Sequence, residues 1–194
     1  QVQQGCDQGC TFCVIHRARG RSISLNEDAI LNQVRTFVAS GSSEIVVCGV
    51  DLGSYEYSSS DGEVDALNLV SLLKKISRLP GEFRIRLSSI DPAHLNDSLL
   101  DLMGSDERFC PYLHVSVQSG STLILKRMKR RYDREWLLER LFAARERLPG
   151  LVLGADIMAG FPTETEADFA QSLSVIKDAE IIYPHVFPFS ARPG

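Results

Sequence analysis

Cys6, Cys10 and Cys13 lie within eight residues, in the stretch GCDQGCTFCVIHRARGR at 5–21. A soluble chain seldom crowds thiols in this way without using them as metal ligands or redox groups. Zinc is one reading, with His16 as fourth ligand. Structural zinc sites usually draw ligand pairs from two separated segments, and four ligands within eleven residues of one loop would make a cramped tetrahedron. A redox Cys-x-x-Cys at a helix start is a second reading, but it leaves Cys6 without a role. A third suits all three thiols. A cubane iron–sulfur cluster has four irons, and a compact loop can cap three of them. The fourth stays open to a ligand, as in catalytic metal sites. Cys48 and Cys110, the remaining two, read as buried small apolar residues.

These residues need elements to hold them. The chain has 194 residues, with 44% hydrophobic and 24% charged residues. That suits one globular domain with a sizeable core and excludes a disordered chain. The net charge of −4 leaves nucleic-acid contact to local basic patches. Five cysteines, three of them clustered, argue against a disulfide framework and for a reducing cytoplasm. No apolar run is long enough to span a membrane, and no secretory leader is visible. The start at Gln1 and the end at Pro193-Gly194 suggest a central domain, 1–194, cut from a longer protein.

Short apolar runs at 44–50, 83–90, 112–119, 151–158 and 181–189 read as strands, and 2–4 as the end of another. Helical spacing falls between them: Ile30, Val34, Phe37 and Val38; Leu69, Leu72, Leu73 and Ile76; Leu95–Met103; Leu137, Leu138, Leu141 and Phe142; Phe169, Leu173 and Ile176. Each stripe is read as plain core packing. The polar segment 55–65 reads as a loop. Alternating strands and helices predict an α/β fold with a parallel sheet. About six βα units give a partial (βα)6 TIM-like open barrel or a doubly wound sheet. One strand face carries Phe83, Ile85, Leu87, Leu113, Val115 and Val117, and the other Arg84, Arg86, Ser88, His114, Ser116, Gln118 and Asp156. Parallel strands are usually apolar on both faces. The polar face therefore predicts a cavity for something charged, with a solvent-facing one-layer sheet as the alternative.

The spacing Cys-x3-Cys-x2-Cys, with Phe12 before the last Cys, resembles the radical S-adenosylmethionine enzymes. VCGVDLGSY (47–55), RIRLSSIDP (84–92), LHVSVQSGS (113–121), ILKRMKRRY (124–132), ADIMAGFPTET (155–165) and FPFSARPG (187–194) follow in the order of the methylthiotransferase family. RIRLSSIDP and RARGR are most similar to the branch acting on threonylcarbamoyladenosine in tRNA. Two departures stand out: His16 where that family usually has Pro, and Thr163 where it usually has Gly.

The resemblance implies a [4Fe-4S] cluster on Cys6, Cys10 and Cys13, with S-adenosylmethionine on the open iron. Reductive cleavage there would give a 5′-deoxyadenosyl radical that takes hydrogen from C2 of the adenosine. No acid–base pair is needed, and no histidine is assigned such a role. Phe12, Gly49, Asp51, Ser88, Ser89, Gln118, Asp156, Gly160 and Phe161 would line the cofactor. For the polar ones a structural hydrogen bond is the alternative, and for 49–53 an ordinary strand-ending turn. Arg17, Arg19 and Arg21, and a second run at Lys126, Arg127, Lys129, Arg130 and Arg131, would meet tRNA phosphates, the alternative being a solvated helix face. The family further implies an N-terminal domain with a second [4Fe-4S] cluster, a C-terminal RNA-binding module, and an electron donor such as a flavodoxin or ferredoxin. The open alternatives are another methylthiotransferase branch, for isopentenyladenosine or a ribosomal protein, another radical enzyme, or a zinc-dependent RNA-binding module.

Overall fold

A computed structural model describes residues 1–57 and 67–191. In chain order the elements are β1 (Gln3–Gln4), α1 (Ile15–Ala18), β2 (Ile23–Ser24), α2 (Glu27–Ala39), β3 (Glu44–Val47), β4 (Glu56–Tyr57), β5 (Leu67–Asn68), α3 (Leu69–Ser77), β6 (Arg84–Leu87), α4 (Asp97–Ser105), β7 (Tyr112–Gln118), α5 (Thr122–Arg127), α6 (Arg134–Arg147), β8 (Val152–Ala159), α7 (Glu166–Asp178) and β9 (Tyr183–Pro188). Short 3-10 turns follow β3 and β6.

Six strands run parallel in the order β1-β3-β6-β7-β8-β9. β3 pairs with β6, β7 with β8, and β8 with β9. Isolated parallel bridges, Gln3 to Gly49 and Ile90 to Val115, join the remaining neighbours. At least one helix crosses over between each consecutive pair of these strands. That is the predicted arrangement of βα units, with every C-terminal strand end on one side of the sheet. β1–β2 and β4–β5 are short antiparallel additions. The loop predicted at 55–65 is broken by β4, and its remainder lies outside the described residues.

Local chemistry explains the helix starts. Asn26, Asn68, Asn96, Ser121, Asp133 and Thr165 each accept a hydrogen bond from a first-turn backbone N–H, satisfying a donor the helix cannot. The apolar strand face is buried: Ile85, Leu87, Leu113, Val115, Val117, Leu153, Ala155 and Ile157 join Leu72, Leu73, Ile76, Leu99, Leu100, Leu137 and Leu141 in one core. Three predicted stripes are rotated. In α2 the buried line is Glu27, Ile30, Leu31 and Val34, while Phe37 is exposed. In α6 the buried line is Leu137, Leu141 and Ala144, while Phe142 is exposed. In α7 it is Asp168, Ser172 and Val175, while Leu173 is exposed. Polar burial defeats an apolar count here. Ser172 Oγ accepts from Gly120 N–H at 2.8 Å, and Asp168 accepts from Ser121 Oγ at 2.6 Å, tying α7 to the start of α5.

Candidate active site

The C-terminal ends of the strands form the site. β1 leads into Gly5, whose φ of +69° and whose approach to the Arg21 carbonyl leave no room for a side chain. A Cβ there would lie 1.9 Å from that oxygen. The turn swings Cys6, Cys10 and Cys13 over the sheet, and the three thiols line one hollow of about 180 Å³. Phe12, Asp51, Ser89, Asp91, Ser116, Gln118 and Arg130 are among the other residues of its wall. The cysteine loop is stapled to the end of α5, since Thr11 donates through N–H to Met128 O at 3.2 Å and through Oγ1 to Arg127 O at 2.9 Å.

The thiols have polar neighbours. Cys6 Sγ accepts from Gln8 N–H at 3.3 Å and lies 3.8 Å from Asp51 Oδ2. Arg130 Nη1 donates to Cys10 Sγ at 3.5 Å. Burial, with smaller contributions from Asp51, Cys10 and Cys13, pushes the Cys6 thiol up to about 11. A cation bound among the thiols would offset this, since a bound metal deprotonates its thiols outright. Among the described residues, no group of three or more His, Cys, Asp or Glu side chains is placed to hold a metal ion as it stands. His16, the fourth ligand of the zinc reading, lines a neighbouring hollow of about 410 Å³ that Cys10 and Cys13 share with it but Cys6 does not. The donor set fits a three-thiolate cluster better than a Cys3His cage.

Gln118 is the most telling wall residue. The register between β7 and β8 shifts between Val115 and Gln118, a bulge that re-aims the strand end. Gln118 sits at φ +66°, only 7% exposed, with Oε1 lacking any partner. A strained, buried, unsatisfied amide in a pocket wall is a group held ready for a donor on a ligand. Asp51 is as buried, and its carboxylate is held by Ser54 Oγ at 2.8 Å and faces His94 Nε2 at 3.4 Å. Burial works against its charge, but these hydrogen bonds prevail and set its pKa below the ordinary value.

Other expected site residues lie elsewhere. Gly49 bridges to Gln3, and a Cβ there would meet Gln3 and Leu52 at 3.0 Å, so its smallness serves strand contact. Ser88 is near the hollow in sequence but not in its wall, and its Oγ is buried without a partner. Phe161 packs with Ile124, Met128 and Met158 in a small apolar cluster that also receives Phe12. Gly160, at φ +74°, donates its N–H to Glu164. Asp156 is away from the thiols, where Oδ1 faces His114 Nε2 at 3.2 Å and His185 Nδ1 at 2.9 Å. Arg17, Arg19 and Arg21 are exposed beyond the loop. The second basic run splits: Lys126, Arg127 and Lys129 are exposed, but Arg130 is buried, so it is no phosphate contact. Cys110 is buried and donates to Glu44 Oε2 at 3.6 Å, whereas Cys48 is only half-buried.

The two departures have local explanations. Thr163 sits at φ +74°, where Gly would be unstrained, and Arg127 donates to it. His16 is in the first turn of α1, a place that also accepts Pro. Two residues have roles that the sequence does not show. Gln3 is fully buried; Oε1 accepts from Asp51 N–H at 2.8 Å, and Nε2 donates to Gly5 O at 2.9 Å, locking the Asp51 turn to the cysteine loop. Arg130 is the other.

Residues 1–176 match the family model described as the radical SAM superfamily. The chain belongs to the radical SAM superfamily. The cofactors of that superfamily are a [4Fe-4S] cluster and S-adenosylmethionine, as the thiol spacing led one to expect. Among curated relatives of this radical SAM chain, the threonylcarbamoyladenosine tRNA methylthiotransferase of Rickettsia prowazekii is 44% identical over 194 residues, which is 100% of this chain and 45% of that protein. The Bacillus subtilis protein of that name is 36% identical over 195 residues, 100% of this chain and 42% of its own length. A tRNA-2-methylthio-N(6)-dimethylallyladenosine synthase from a Nitratiruptor species is 37% identical over 192 residues, 99% of this chain and 44% of that protein. The chain thus spans less than half the length of these relatives. The radical S-adenosylmethionine methyltransferase TsrM of Kitasatospora setae superposes with a TM-score of 0.76 at 16% identity, covering 96% of this chain and 35% of that one. Escherichia coli coproporphyrinogen III oxidase HemN superposes with a TM-score of 0.67 at 16% identity, covering 100% of this chain and 45% of that one. They show the fold, the partial TIM-like barrel with parallel strands.

Proposed function

We propose that this chain is the radical domain of a transferase that 2-methylthiolates N6-threonylcarbamoyladenosine in tRNA. The observation that carries the reading is the convergence of Cys6, Cys10 and Cys13 on one hollow with the unsatisfied Gln118. The 44%-identical relative supports the substrate.

In this reading Cys6, Cys10 and Cys13 hold a [4Fe-4S] cluster. When bound, the cluster and S-adenosylmethionine supply the reductively generated radical that attacks an unactivated carbon. The chain's own residues bind, orient and exclude water. Gln118 Oε1 accepts from a donor of the cofactor. Asp51 and Ser89 offer further acceptors in the same wall, and Phe12 closes it beside the apolar cluster. Ser88, Gly49, Asp156, Gly160 and Phe161 support the wall from behind or from neighbouring positions. Arg17, Arg19 and Arg21 meet tRNA phosphates. In the whole protein, a second cluster and an RNA-binding module lie outside this chain, and a flavodoxin or ferredoxin gives the electron in the cytoplasm. No helix among the described residues is long and apolar enough to cross a membrane.

Mass spectrometry of tRNA nucleosides from cells lacking the gene tests the substrate. Loss of 2-methylthio-N6-threonylcarbamoyladenosine, restored by the intact gene, is expected. Loss of the methylthiolated isopentenyl nucleoside instead would move the chain to the other branch.

A further inference from the structure

We infer that Arg130 and Asp51 are positioning residues that act on the cluster through its ligands Cys10 and Cys6 and tune its reduction in opposite directions, Arg130 favouring the reduced state. The inference rests on the cluster reading above.

Arg130 reaches the site by a built turn. Helix α5 ends in a Schellman motif: Arg130 N–H bonds to Leu125 O at 2.9 Å, and Lys129 N–H to Lys126 O at 3.1 Å. Lys129 occupies the left-handed position of that motif, φ +58°, usually glycine's. The strain is tolerated and the next side chain is driven inward, only 7% exposed. The same helix end holds the cysteine loop through Thr11, so Arg130 and Cys10 share one rigid support.

All three guanidinium nitrogens are then engaged. Nη2 donates to Asp91 Oδ2 at 2.6 Å and to Ser116 O at 3.0 Å, and Nε donates to Tyr132 Oη at 2.9 Å. Nη1 is left to point at Cys10 Sγ. Asp91 offsets much of the net charge and also faces Arg131 at 3.7 Å, so the effect of Arg130 comes mainly through the N–H···S bond. Hydrogen bonds to cluster sulfurs and nearby charge are the protein's levers on an iron–sulfur potential. An N–H···S bond draws density from the thiolate and stabilises the added electron. Asp51, 3.8 Å from Cys6 Sγ, is an acceptor-only carboxylate and opposes it. Its other neighbours are Ser54 and His94. The couple concerned takes one electron from a low-potential donor, [4Fe-4S]2+ to [4Fe-4S]1+, with no proton or ligand exchanged.

The test is an anaerobic redox titration of the full-length protein, with its cluster reconstituted, followed by electron paramagnetic resonance. The signal followed is the one that changes on adding S-adenosylmethionine, which separates it from any second cluster. The midpoint should fall in Arg130→Gln and rise in Asp51→Asn, at unchanged iron content. An Arg130→Gln midpoint that stays or rises overturns the inference. If Arg130→Gln does not retain the cluster, Asp51→Asn decides: an upward shift supports the inference, and an unchanged or lower midpoint overturns it. Absence of the signal from wild type overturns the cluster reading itself, and this inference with it.

Discussion

The sheet's polar face divides into two regions that behave differently. Before the C-terminal strand ends, Glu44, Arg86, Tyr112, His114, Asp156 and His185 form a row in which each side chain finds a partner in the next. Arg86 Nε donates to Glu44 at 2.7 Å, and its guanidinium lies 5.3 Å from the Tyr112 ring centre. Tyr112 Oη meets His114 Nδ1 at 3.2 Å, and Asp156 takes both histidines. At the C-terminal strand ends the accounts do not close. Gln118 Oε1 and Ser88 Oγ have no partner, Gln118 and Lys129 sit at positive φ, and three thiols share one hollow. Polarity on a strand face does not by itself mark a ligand site. Spare hydrogen-bonding capacity held under strain does.

The sharpest way to break this contrast is to remove a thiol. Cys10→Ala in the full-length protein should reduce the iron of this cluster to background, since a metal site lacking a ligand loses most of its binding free energy. Iron analysis after anaerobic reconstitution measures it; full retention would remove Cys10 from the ligand set. Gln118→Ala should weaken S-adenosylmethionine by about tenfold, the worth of one good hydrogen bond. It should leave the melting temperature near wild type, because nothing in the protein depends on Oε1. Equilibrium binding and a melt read both.

The row should respond in the opposite way. Gly154→Ala would set a Cβ 2.6 Å from Tyr112 Oη and 2.8 Å from His114 Nδ1. We expect a stability loss of about 1–3 kcal/mol by overpacking, with iron retained. The row also carries a pH signature. Burial raises the Asp156 pKa, but the hydrogen bonds from His114 and His185 prevail and depress it. A depressed carboxyl contributes stability above its unfolded value of about 3.9 that is lost as pH falls through the folded value. Asp156→Asn should therefore flatten the acid limb of the stability curve below about pH 4, as denaturant titrations at stepped pH would report. The smallest effect belongs to the exposed arginines. Arg19→Ala should leave stability within about 0.5 kcal/mol and lower the salt slope of tRNA binding by about one unit.

The strands, most helix positions and the grouping of the three thiols are legible in the sequence because each rests on a short-range signal: alternation, helical spacing, thiol spacing. What was not legible depends on contacts between distant segments. Arg130 looked like the rest of its basic run. Only the turn at Lys129 and the acceptors Asp91 and Ser116 turn it inward. Parity alone cannot say which polar residues will satisfy one another, as Asp156 does with His114 and His185. Leu173 was taken for core, whereas Asp168 and Ser172 hold that face through the α5 start. Gln3 reads only as part of a strand end, yet it locks the two loops of the site together.

The central claim is that three thiolates hold a cubane with one iron open. Mössbauer spectroscopy of the full-length protein, reconstituted anaerobically with iron and sulfide, tests it most directly. The account predicts a cubane signal, lost from this site when Cys6, Cys10 and Cys13 are replaced together, and a change at a single iron when S-adenosylmethionine is added. A colourless protein holding zinc, or a cubane signal that survives the triple replacement and ignores S-adenosylmethionine, would contradict it.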